Sequence, residues 1–230
     1  MKNQYFGDKR DLFKYDLALN ACKGVELGLT FVPMLTAPDR RTDGNQIDYA
    51  KAKAGYNNSA LKCFLRNCVD RGERDVQQLT KFVSSTGIKY HLYQSQEVYF
   101  TQGGRRAYIS GIGDECLEDV LALLDPDNGL ETKRSNKRHL LFSEIELLRG
   151  KMGNGSVLMI YQHFPREEHQ GYLAKRTRQL GHLSSSQVYW ISDNEIIFFF
   201  LAKAKNVQDK LLRVLREYKV EYPLLTTNAH

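Results

Sequence analysis

The run Val120-Leu121-Ala122-Leu123-Leu124, followed at once by Asp125-Pro126-Asp127-Asn128-Gly129, constrains the fold more than any other stretch. Five apolar residues bounded by turn signals have the length of a buried strand. Pro126 cannot donate to a strand ladder and Gly129 tolerates a positive φ, so the strand stops in a tight polar turn. In open α/β sheets ligands sit outside the carboxyl ends of the strands, which aims Asp125, Asp127 and Asn128 at one. A plain strand-to-helix turn, with Asp127 or Asn128 as a cap, would use the same residues.

The rest of the chain alternates in kind. Residues 8–21 carry Leu12, Phe13, Leu17, Leu19 and Ala21 among polar positions and predict an amphipathic helix, with Asp8 as its N-cap after Gly7. A short apolar run over 27–35 predicts the first buried strand, and 46–86 turns helical. Strands are expected over 90–100, 107–110 and 156–161, and helices over 137–148, 167–180 and 207–218. The stretches 187–192 and 195–202 predict antiparallel neighbours joined at Asp193-Asn194, a dipeptide suited to a tight hairpin. Together these predict one α/β domain over residues 1–230, with a helical insert at about 45–87.

With 230 residues the chain has ample length for a core, and no run approaches the ~20 apolar residues of a membrane span. The first residues lack the apolar stretch of a signal peptide, which points to the cytoplasm and away from a membrane. The four cysteines, Cys22, Cys63, Cys68 and Cys116, have no zinc-site spacing and are expected to be reduced core thiols. A net charge of +6 leaves room for a polyanion. Basic residues gather at Lys133, Arg134, Lys137 and Arg138, and again at Lys175, Arg176 and Arg178. Such clusters hold phosphates, and solvated helix faces look the same. The oligomeric state leaves no trace in the sequence.

Two motifs carry a resemblance. Asp125-Pro126-Asp127-Asn128 is similar to the Asp-Pro-Pro-Tyr type sequence that amino-methyltransferases of nucleic-acid bases carry after their fourth strand. Phe6-Gly7-Asp8-Lys9-Arg10-Asp11-Leu12-Phe13-Lys14 resembles a segment of the ribosomal-RNA adenine-N6 methyltransferases. The likeness spans most of the chain as element order and about 15 residues as sequence. It implies a Rossmann sheet of mostly parallel strands, ending in an antiparallel hairpin, that binds S-adenosylmethionine and moves its methyl group to an amine of a nucleic acid. It further implies a cofactor pocket from Asp8, Asp11, Lys14 and Thr36. Asp125 would accept from the target amine, Asn128 would orient it, and Asp127 would stand beside them. The place of the usual glycine-rich loop is taken by residues 32–39, with no glycine until Gly44.

Read without that resemblance, Asp8, Asp11 and Lys14 form a capped, salt-bridged first helical turn. Tyr161-Gln162-His163 ends its own strand, and His163 would face the crevice of Asp125 if the two strands are neighbours. There it would serve as general base or metal ligand, or cap the loop before Pro165. A second function class is open too. Pro126-Asp127 followed by Glu131-Thr132-Lys133 spells a nuclease signature in which the acids hold Mg²⁺ and the lysine positions water. The missing glycine loop equally suits a Rossmann module that binds nucleic acid without catalysing.

Overall fold

A computed structural model describes residues 1–40, 45–94 and 99–229. The chain begins with helix α1 (Lys9–Val25), strand β1 (Gly28–Val32), helices α2 (Ser59–Asp70) and α3 (Leu79–Ser84), and strand β2 (Tyr90–Leu92). Helix α4 (Arg105–Ser110), strand β3 (Val120–Leu124), the short strands β4 (Gly129–Leu130) and β5 (His139–Leu140), and helix α5 (Phe142–Lys151) follow. Strand β6 (Val157–His163), helix α6 (His169–Ser184), strands β7 (Val188–Ser192) and β8 (Ile196–Ala202), helix α7 (Lys205–Glu221) and strand β9 (Thr226–Thr227) complete it.

Seven strands form one sheet in the order β2-β1-β3-β6-β8-β7-β9, and β4 and β5 form a separate parallel ribbon. Strands β2, β1, β3 and β6 run parallel. Strand β8 runs antiparallel to both neighbours, β6 and β7, and β9 is antiparallel to β7. This is a Rossmann-like α/β sheet, mostly parallel and flanked by helices.

Side chains leave the sheet alternately, and each face meets its own core. Leu121, Leu123, Met159, Phe198 and Phe200 pack with α1, α2 and α7, whereas Ala122, Leu124, Leu158, Ile160 and Phe199 pack toward α4, α5 and α6. With both faces covered, the central strands need no polar alternation, which is why their sequences are continuous apolar runs. Helix α1 lies deepest. Phe13 meets Phe198 edge-on at 5.0 Å, and buried Asp16 accepts from Tyr218 at 2.7 Å and from Asn58 at 2.9 Å. A charged residue inside the fold survives only with such partners.

Four expectations are corrected. Residues 107–110 belong to helix α4, because Arg105, Tyr108 and Ile109, three and four positions apart, share one buried helical face. Helix α5 begins at Phe142, since His139–Leu140 is held extended by β4 and the Glu144 carboxylate takes the Leu141 N–H at 2.8 Å. Of the strand expected over 90–100, only Tyr90–Leu92 forms before a turn, while 95–98 lie outside the described residues. Cys63 is exposed rather than a core thiol, and all four cysteines are free. The hairpin forms as expected, with Asn194 at φ 70°. Among the described residues no helix is long and apolar enough to cross a membrane.

Candidate active site

Strand β3 pairs with β1 on one side and β6 on the other, so three chain ends emerge together at one edge. Asp125 extends the ladder by one bond, its N–H reaching Val32 O at 3.0 Å. A cleft of about 700 Å³ opens over the ends of β3 and β6 and is walled by the first turns of α1. That size lies within the range of small-ligand sites.

The floor of the cleft is a buried ion cluster. Lys14 Nζ stands 2.6 Å from both Asp11 Oδ1 and Asp125 Oδ2. Helical spacing brings Asp11 and Lys14 together, and only the sheet brings Asp125 to them. Burial works against the Lys14 charge, but Asp11 and Asp125 overcome it and hold its proton more tightly than usual. Burial raises the Asp125 carboxyl, with Lys14 opposing. Asp8 caps α1, accepting from the Arg10 and Asp11 N–H groups at 2.9 Å each. Burial, and then the neighbouring Asp11 charge, push its carboxyl up to about 7.

The rim is set by the polar turn after β3. Asp127 meets Lys2 Nζ at 3.3 Å, Thr36 Oγ1 at 3.2 Å and Arg138 Nε at 3.5 Å. Burial would raise its carboxyl, but the Met1 amino group and Lys2 outweigh it and hold it below the usual range. Asn128 is exposed at the mouth. Gly129 adopts φ +97°, and a Cβ there would run into the Gln162 amide. That amide is in use, since Gln162 Oε1 accepts the Leu130 N–H at 2.6 Å and ties the ribbon to β6. His163 Nε2 lies 2.9 Å from the Tyr161 hydroxyl. Burial, and then Arg10, lower its proton affinity to about 4, so it is neutral at pH 7.

Asp8, Asp11, Lys14, Asp125, Asp127, Asn128 and His163 thus converge on one cleft from α1, β3 and β6. Thr36 does not join them: it is buried behind Asp127 and also donates to Met1 O at 3.3 Å. Arg138 lines the cleft, whereas Lys133, Arg134 and Lys137 are exposed on the loop beside it. Glu131 turns away to accept the Phe142 N–H at 2.8 Å, so its carboxylate caps α5 instead of meeting Asp127. Among the described residues no three His, Cys, Asp or Glu side chains gather in a way that could hold a metal.

The cleft also recruits Lys2, Arg10, His139 and Tyr161, to which the sequence gives no site role, and it takes in Arg176 from the basic cluster at 175–178. Arg10 sits inside the motif already singled out, and its position beside Asp11 was a usable signal. His139 and Arg176 lie 37 residues apart (176 − 139) on different elements, and no spacing rule joins them. No protein-family model, curated protein or solved structure matches the chain.

Proposed function

We propose that the chain is a methyltransferase-like Rossmann protein that takes S-adenosylmethionine in the β3–β6 cleft and acts on an amine of a nucleic acid. The observation that carries this is Asp125: a carboxylate at the carboxyl end of β3, gripped by Lys14 from the helix before β1, on the floor of a cleft about 700 Å³ in volume. The two motifs that resemble such enzymes, far apart in sequence, meet there. The reversed strand β8 between β6 and β7 accords with the same comparison.

The lining suits the cofactor's charges. Asp8 and Asp11 offer carboxylates to its ammonium and sulfonium groups, and Arg10, whose Nε is buried without a partner among the described residues, offers a donor to its carboxylate. The cofactor would lie against α1, because the loop after β1 is closed by Thr36 and Met1. When bound, it supplies an electrophilic methyl group. The chain's residues have to hold and align an acceptor and exclude water. Asp125 accepts an N–H of the acceptor amine, Asn128 steers it at the mouth, and neutral His163 borders the opposite rim. Asp8, with its carboxyl near 7, is matched to receiving a proton at neutral pH. Lys133, Arg134 and Lys137 flank the mouth, where exposed cations favour a phosphate backbone.

The Mg²⁺-dependent nuclease reading lacks comparable support, because Asp127 is taken up by Lys2 and Arg138 and Glu131 by α5. A module that binds nucleic acid without catalysing shares the cleft and differs in needing no methyl donor.

Calorimetric titration with S-adenosylmethionine and S-adenosylhomocysteine tests the proposal. Micromolar binding is expected, weakened at least tenfold in Asp125→Asn and in Asp8→Ala variants that retain the native circular dichroism spectrum. No heat of binding from folded wild-type protein overturns it.

A further inference from the structure

Exposed Arg166 aside, Arg176 stands apart from the other cations of the cleft. Lys14 is matched by Asp11 and Asp125, and Lys2 and Arg138 by Asp127. Arg176 is 5% exposed, yet among the described residues no carboxylate lies within ion-pair distance of it. Its guanidinium lies over the rings of Tyr172 at 5.1 Å and Phe142 at 5.7 Å, and Nη1 donates to Gln179 at 3.0 Å. Its Nε is buried with no partner among the described residues. A buried, always-charged group left without an anion is expensive, so a fold that keeps one on a cleft wall has reason to supply the anion from outside.

Beside it on the same wall is His139, also buried. Its ring is fixed. The Asn136 N–H donates to Nδ1 at 3.3 Å, which leaves the ring proton on Nε2, and Arg105 binds the His139 carbonyl while pairing with Glu144. Burial lowers its proton affinity, the backbone bond at Asn136 opposes, and the Arg105, Arg138 and Arg176 charges add to the lowering, so it is a neutral donor in a positive field. The N-terminus of α6 is already capped by Glu168, which accepts from Gln170 and Gly171, so the helix end is not what draws an anion here.

We propose that Arg176 and His139, with Arg138 at the lip, form a phosphate-binding corner of the cleft. Guanidinium forks match phosphate oxygens in pairs, and an imidazole N–H supplies a further donor without adding charge. The corner rests on the nucleic-acid reading above only for what carries the phosphate. In that reading it holds the phosphate beside the nucleotide whose amine reaches Asp125. A free phosphate ion shares the chemistry.

The test uses inorganic phosphate, adenosine 5′-monophosphate and adenosine, titrated calorimetrically at constant ionic strength into wild type, Arg176→Met and His139→Gln. Wild type is expected to bind a phosphate-bearing probe at least tenfold more tightly than adenosine, and Arg176→Met to lose that preference. Adenosine 5′-monophosphate binding more tightly than inorganic phosphate would point to a nucleotide, and equal binding to the free ion. Because Arg176 has no carboxylate to leave stranded, Arg176→Met should melt no lower than wild type, whereas a purely structural role would lower its melting temperature. Failure of both phosphate probes to bind folded wild type, or an undiminished preference in Arg176→Met, overturns the proposal. None of these probes is a methyl donor, so the result stands or falls separately from S-adenosylmethionine binding.

Discussion

Strands β1 and β3 lie side by side in register, yet the loops that leave them do opposite things. The loop after β1 is closed. Met34, Leu35 and Thr36 are buried, the Thr36 N–H donates to Met1 O at 2.8 Å, and Lys2 pairs with Asp39 at 2.9 Å. The loop after β3 opens onto the cleft, its Asp125 and Asp127 each held by cations from the N-terminal part of the chain. Residues 1–14 therefore serve both loops, sealing the first and neutralising the second. A sheet's carboxyl edge offers several places for a ligand, and packing of a neighbouring segment decides which of them stays open.

The largest effect should come from breaking the neutralised floor. Lys14→Met leaves Asp11 and Asp125 buried without their cation and is expected to destabilise by about 3–5 kcal/mol in urea denaturation. A change near zero would mean that the acids do not depend on Lys14. Next comes Gly129→Ala, which asks a Cβ to occupy a positive-φ site against Gln162. A loss of about 2–3 kcal/mol is expected, with weaker binding in the cleft. An alanine variant of wild-type stability would show that the open turn is not held in this shape.

Asp8→Asn keeps a good N-cap but removes a carboxyl raised by burial to about 7 from an ordinary value of 3.8. For a raised carboxyl, the stability contribution is present below the unfolded value and is lost as pH rises through the folded one. Asp8→Asn should therefore gain on the order of 2 kcal/mol at pH 8 and nothing near pH 4. His163 runs the other way. Lowered from 6.5 to about 4, its contribution is present above 6.5 and lost as pH falls through 4. The two oppose each other in the wild type over that interval, and the variant's stability should fall on acidification as His163 is left alone. A pH-independent difference between the two proteins would remove the raised carboxyl from the account. The smallest effect belongs to the closed loop. Thr36→Val removes the hydroxyl shared between Asp127 and Met1 O, about 1 kcal/mol, and should leave cleft binding unchanged in calorimetry. Weakened binding would instead place Thr36 in the site.

Local chemistry made much of the frame legible. The apolar runs of β3, β6 and β8, the Asp8 cap and the Asp193-Asn194 turn each follow from a few adjacent residues. Short elements were less legible. The residues of α4 fit a strand or a short helix, and burial of Arg105, Tyr108 and Ile109 on one face chose between them. Within the site, Asp8, Asp11 and Lys14 belong together by helical spacing, and His163 shares a cleft with Asp125 because β6 lies next to β3.

By itself, then, the sequence determined the longer strands β1, β3, β6, β7 and β8, the main helices and the polar turn of 125–129, because those depend on neighbours within a few positions. Tertiary structure alone decided that Lys14 reaches Asp125 across 111 positions, that Met1 and Thr36 close the first loop, and that Arg176 is buried beside His139 with no acid paired to it among the described residues. Those outcomes depend on which buried charges find partners across the fold, and burial makes an unmatched charge costly wherever its partner lies in the chain.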